Sequence, residues 1–149
     1  YEIHERLVGS EMCIETDGEH PKILPFKNTE EEIQGIADLV NCFRNSHYTS
    51  LGIICKTESQ AKELVQKLQI YANDISLLSN QSSAYVKGII ITSAHMAKGL
   101  EFDEVIIPQT DDKNYHSNID KSMLYVAATR AMHKLTLTYS VSSPSCRFL

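Results

Sequence analysis

The sequence predicts an α/β domain in which a parallel β-sheet carries helices on both faces. Three observations lead there. Strand-like apolar runs alternate along the chain with segments of helical periodicity. The runs at 50–55 and 88–92 are apolar at consecutive positions, as in strands buried on both sides. A length of 149 residues with 42% apolar and 22% charged side chains describes one ordinary globular domain, large enough to bury a core without staples.

Each element has its own signal. Pro21-Lys22-Ile23-Leu24-Pro25-Phe26 reads as a short strand at a sheet edge, where proline is tolerated. Thr29-Glu30-Glu31-Glu32 reads as a capping box, its acids placed where the helix dipole favours them. Ile33, Ile36, Leu39, Val40 and Phe43 then mark a helix to about Asn45. Ser50 to Cys55 is a buried strand. Thr57 and Gln60 open a second capping box, and Ala61, Leu64, Val65 and Leu68 line a helix ending near Tyr71. Ile75 to Leu78 is a short strand, followed by a polar loop at Asn80-Gln81-Ser82-Ser83. Gly88 to Thr92 is the strongest strand signal, and Glu104 to Pro108 is another. Ile119 to His133 reads as a helix with one apolar side, and Leu135 to Tyr139 as the closing strand. No internal repeat, low-complexity stretch or linker interrupts the pattern, so residues 1–149 are expected to form a single domain, with 1–20 and 141–149 peripheral.

Composition excludes several classes. No apolar run approaches the roughly 18 residues of a membrane span, and the start, Tyr1 to Arg6, is polar rather than leader-like. Cys13, Cys42, Cys55 and Cys146 form no Cys-x-x-Cys pair, which points to reduced, buried thiols of a cytoplasmic protein. Residues 1–87 carry 8 basic against 13 acidic side chains, whereas 88–149 carry 6 of each. Without a basic stripe, nucleic-acid affinity has to come from local contacts or from other domains.

Chemistry concentrates in two places. In open parallel sheets ligands gather at the carboxyl ends of strands, which directs attention to the segment after the strand at 88–92. There Thr92, Ser93, His95, Lys98 and Glu101 crowd a connection that folding alone needs only as a turn, with Gly99 closing one helical turn. The second place is Leu124-Tyr125-Val126-Ala127-Ala128-Thr129-Arg130-Ala131. Arg130 projects from small and apolar neighbours, and a guanidinium so placed takes either an internal carboxylate or a planar anion such as phosphate. Tyr125 and Thr129 read as helix packing. His47 reads as surface, as do His4 and His20. His116 and His133 have no metal-ligand spacing, Asp111-Asp112 reads as a solvated turn, and Glu30-Glu31-Glu32 as helix-start chemistry.

Thr-Ser-Ala-His-Met-Ala-Lys-Gly-Leu-Glu-Phe-Asp-Glu-Val at 92–105 resembles motif V of superfamily 1 helicases of the UvrD/Rep type. Leu-Tyr-Val-Ala-Ala-Thr-Arg-Ala-Met-His-Lys-Leu-Thr-Leu at 124–137 resembles motif VI of the same family, in the family's order. Pro144 to Leu149 looks like the Pro-Ser-Arg-Phe segment that trails motif VI, with one extra residue. The resemblance is dense over 88–140 and rests on the alternation alone before that. It implies a RecA-like, P-loop NTPase-like fold, the second of two such domains with ATP between them. Arg130 then matches the arginine finger, Glu101 the carboxylate that meets the ribose, and Thr92 and His95 contacts to single-stranded DNA. Lys98 and Gly99 match the turn beside the nucleotide.

The resemblance is partial in informative ways. None of the six glycines precedes a lysine, so there is no phosphate-cradling loop, and no Asp-Glu pair closes an apolar strand to hold Mg2+. The resemblance therefore implies an N-terminal RecA-like partner domain supplying the P-loop and the metal ligands, ATP hydrolysis in the full-length protein, and a silent isolated chain. Lys121-Ser122 stands where two arginines often precede motif VI. Only residues 56–87 separate the second strand from the fourth, too few for the insert of UvrD and Rep. That compactness looks more like HelD-type helicases of Gram-positive bacteria, which implies RNA polymerase as a further partner. A docking module for RNA polymerase is the alternative reading, and a free-standing domain for a small phosphate ligand is the weakest.

Overall fold

The computed structural model describes residues 21–79, 88–141 and 148. Among them, six strands and three helices alternate: β1 (Lys22–Phe26), α1 (Thr29–Arg44), β2 (Leu51–Cys55), α2 (Glu58–Leu68), β3 (Ile75–Leu78), β4 (Ile89–Ser93), β5 (Phe102–Ile107), α3 (Asn118–Ala128) and β6 (Ala131–Ser140). The strands form one sheet in the order β1-β6-β5-β2-β4-β3, and every pairing in it is parallel. The expected parallel α/β architecture with helices on both faces is therefore present. Each strand that the sequence predicts exists, and the polar loop expected at 80–83 lies outside the described residues.

Alternation of side chains splits the apolar residues into two cores. Ile53, Ile89, Ile91 and Ile106 point to the face covered by Leu39, Val40 and Phe43 of α1 and Leu64 and Leu68 of α2. Their chain neighbours Ile54, Ile90, Val105 and Ile107 point to the other face, where Ala94, Ala97, Leu100, Leu124 and Ala127 cover them. The connection after β4 thus lies on the same face as α3. β1 is at the sheet edge, where Pro25 lacks an N–H to donate but costs no interior ladder bond.

Several boundaries differ from the sequence reading, each for a local reason. The first helix is capped by Asn28, whose side chain accepts from Glu31 N at 2.9 Å, so Thr29 is already helical. The Thr57–Gln60 capping box forms as expected, and its helix ends at Leu68 rather than Tyr71. β5 starts at Phe102, two residues early. The largest correction concerns the third helix, which stops at Ala128 rather than running to His133. Ala131 pairs with Phe102 and Lys134 with Glu104, so strand pairing claims residues whose apolar spacing also suits a helix. Arg130 consequently lies in the turn between α3 and β6, not on the helix.

The cysteines also need correcting. Cys55 is a free, buried thiol, pushed up to about 12 chiefly by burial and secondly by the carboxylate of Glu32. Cys42 is disulfide-bonded, against the expectation of four reduced thiols. Pairing depends on which sulfurs the fold brings within reach, which spacing along the chain does not reveal. Cys13 and Cys146 lie outside the described residues.

Candidate functional site

The candidate residues occupy both ends of one connection. β4 ends at Ser93, and the chain makes a single turn in which Ala97 N donates to Ser93 O and Leu100 N to Ala97 O, both at 3.0 Å. Gly99 ends that turn with φ +81, a conformation side chains of L-residues resist. The chain then enters β5 at its amino end. This short crossover therefore carries His95 to the carboxyl end of the sheet and Glu101 to the amino end. A focus on carboxyl ends alone is corrected here: Glu101 and Arg130 sit at the opposite edge from Thr92 and His95.

At the amino edge, Phe102 N donates to Arg130 O at 2.9 Å, which sets Glu101 and Arg130 next to paired strands. Glu101 is exposed. Arg130 is half-buried, and among the described residues it forms no ion pair. One terminal nitrogen donates to Thr129 Oγ1 at 3.3 Å, while its Nε is buried with no hydrogen-bond partner. Of the two acceptors the sequence left open, the internal carboxylate is thus not used. A buried N–H left unspent is costly, and such exceptions call for a ligand or a role. Thr129 itself donates to Val126 O at 2.8 Å. Tyr125 is 71% exposed, so its reading as packing is wrong. Only one side of α3 faces the sheet, and Leu124 and Ala127 occupy it.

The carboxyl edge offers less than expected. Thr92 is fully buried, and its hydroxyl donates to Leu78 O at 2.8 Å, tying β4 to β3. It presents no hydroxyl outward. His95 and Lys98 are exposed. They rim an open groove of about 290 Å³ between the crossover and α3, floored by Ala94, Met123 and Val126 with Ile119 beside it. Ile119 is 75% exposed rather than packed. A shallow, largely apolar groove with an ammonium and an imidazole on its rim has hydrogen-bond donors for a phosphate beside an apolar floor.

Other groups escaped the sequence reading. Glu32 is 3% exposed, and its Oε2 accepts from Gln109 N at 2.9 Å and Thr138 Oγ1 at 2.7 Å. Burial raises its pKa, and these two bonds partly offset the rise. It lies four residues before Ile36 on the inward stripe, a signal that an acid there is more than helix-start chemistry. Lys56 pairs with Asp120 at 2.9 Å, and that hydrogen bond, aided by N–H groups of His116 and Ser117, holds the carboxyl well below its usual range. Asp111 is buried, not solvated, and accepts from Asn114 N and Nδ2 at 2.9 and 3.0 Å. Lys121 lies over the Phe148 ring at 5.6 Å. His47 is exposed, as read. No group of three or more His, Cys, Asp or Glu among the described residues could hold a metal ion, and no described helix is long and apolar enough to cross a membrane.

Comparisons with known proteins agree with this fold. DNA helicase II of Escherichia coli K12 is 26% identical over 123 positions, covering 74% of this chain but 16% of that protein. Gabija protein GajB of Bacillus cereus VD045 is 53% identical over 45 residues, covering 30% of this chain and 9% of GajB. The C-terminal domain of a possible DNA helicase from Lactobacillus plantarum WCFS1 superposes with a TM-score of 0.76 at 27% identity, over 86% of this chain and 78% of that one. The UvsW helicase of bacteriophage T4 shares the fold alone, with a TM-score of 0.59 at 10% identity, over 82% of this chain and 47% of that one. The chain spans under a fifth of the DNA helicase II sequence it matches. Residues 70–142 match the family described as the UvrD-like helicase C-terminal domain, and the chain shares its RecA-like fold with helicase domains of solved structure.

Proposed function

We propose that residues 1–149 form the second motor domain of an ATP-dependent superfamily 1 DNA helicase or translocase, working with an N-terminal RecA-like domain of the same polypeptide in the cytoplasm. The observation that carries this is Arg130, which has no ion pair among the described residues and an unpartnered Nε, held at the strand entrance next to exposed Glu101. A guanidinium without an internal carboxylate suits charge that spreads over transferred phosphoryl oxygens. Bound ATP with Mg2+ supplies that phosphoryl group. Arg130 donates N–H bonds to it, Glu101 accepts from a ribose hydroxyl, and Gly99 and Lys98 set the turn that carries Glu101. The metal ligands and phosphate cradle belong to the partner domain.

His95 and Lys98 meet the phosphates of a single strand at the carboxyl edge, and Thr92 supports them from within the sheet rather than touching the strand. The short crossover gives both contacts to one segment, so movement of the nucleotide edge reaches the strand edge directly. Isolated, the chain hydrolyses no ATP. In the full-length protein, Arg130→Ala is expected to abolish turnover while nucleotide affinity falls far less. Turnover that survives Arg130→Ala refutes the motor reading, and the HelD-like alternative, docking on RNA polymerase, then becomes the better account.

A further inference from the structure

We infer that Asp103 and His133 form a clamp that positions Arg130 and Glu101, acting through a bulge between β5 and β6; this rests on the motor reading above. Phe102 is paired with Ala131, yet Glu104 is paired with Lys134. One residue of β5, Asp103, therefore faces two of β6, Met132 and His133. Such a bulge adds twist and re-aims the side chains next to it. Here the adjoining residues are Glu101 and Arg130, joined at the strand entrance by the Phe102 N to Arg130 O bond of 2.9 Å. Because side chains alternate along a strand, straightening the bulge by one residue would turn Arg130 toward the other face.

The bulge is tied down on three sides. Asp103 Oδ2 accepts from Thr49 N at 2.9 Å, Thr49 Oγ1 at 3.1 Å and Ser50 N at 3.3 Å. Asp103 N donates in turn to Ser50 Oγ at 2.9 Å. Asp103 Oδ1 lies 3.9 Å from His133 Nε2. The His133 ring stacks on Tyr48 with centroids 5.5 Å apart and planes 2° from parallel. The loop before β2, the start of β5 and the extra residue of β6 are thus held as one unit. Folding does not require this at a rim position: His133 is exposed and Asp103 half-buried, so neither fills the core. The donors of Thr49 and Ser50 hold the Asp103 carboxyl below its usual range, so it stays ionised at neutral pH.

The test uses the full-length protein that joins this chain to its ATP-binding domain, with ATP and a dT oligonucleotide. His133→Ala is expected to lower kcat for ATP about tenfold while KM for ATP changes less than about threefold, the loss that a slightly misplaced charge produces. His133→Phe, which keeps a ring on Tyr48 but loses the imidazole nitrogen facing Asp103, is expected to recover part of that loss. Unchanged kcat in His133→Ala, or no recovery at all with Phe, would each overturn the clamp. A protein in which Arg130→Ala alone leaves turnover intact defeats the motor reading instead, so the two failures are told apart.

Discussion

Phe102 N donates to Arg130 O across the entrance of two parallel strands, 2.9 Å apart, and this one bond makes neighbours of residues at positions 101 and 130. Each belongs to a different sequence motif. Brought together, an exposed acid and an unpaired guanidinium offer complementary contacts to the two ends of a nucleotide, ribose and phosphate.

Glu101→Ala should weaken nucleotide binding more than it slows chemistry. A hydrogen bond to an exposed carboxylate is worth about 1.5 kcal/mol, which is roughly tenfold in KM for ATP. Steady-state kinetics of the full-length variant checks this. A fall in kcat with KM unchanged would place Glu101 elsewhere in the mechanism.

Gly52→Ala should be destabilising and should also disturb the site. A Cβ at Gly52 would lie 2.5 Å from Cδ2 of the Phe102 ring, which is fully buried. Forcing that ring aside costs about 1–3 kcal/mol and moves the residue whose N–H holds Arg130. Chemical denaturation of the chain measures the first effect, and ATP turnover of the full-length variant the second.

Gly99→Ala meets open space, so any effect comes from backbone strain. Holding a side-chain residue at φ +81 costs about 1 kcal/mol. The expected result is a modest loss of stability in thermal denaturation, with a larger loss of nucleotide affinity because the turn carries Glu101. Equal affinity in Gly99→Ala and wild type would separate the turn from the nucleotide.

Stability should fall as pH rises past the ordinary glutamate value, through Glu32. Its pKa in the folded chain is raised above 4.5, chiefly by burial. Between the two values the folded state holds more protons than the unfolded state, so rising pH favours unfolding. Asp103 and Asp120 act in the opposite sense: their lowered pKa values add stability above 3.8 that is lost as pH falls through them. Glu32→Gln should remove the first slope and leave the acid limb. Denaturation curves measured from pH 4 to 8 for both proteins show whether the difference between them shrinks as pH rises.

The sequence by itself determined the class of fold and the identity of the chemical groups. Consecutive isoleucines at 53–54 and 89–91 specify strands buried on both faces, because short β-branched runs favour extended backbone over helix. Thr57 with Gln60 likewise specifies a helix start, since both bonds of that cap form within one turn. Only the tertiary structure decided where the groups go. It took Arg130 off the helix, turned the Thr92 hydroxyl inward to Leu78, buried Glu32 against Thr138, and bound Asp103 to a loop more than fifty residues away. Local pattern fixes which dihedral angles a segment prefers. Sheet order and strand register arise from contacts between distant segments, and those contacts decide which end of the sheet each side chain reaches and what it meets there.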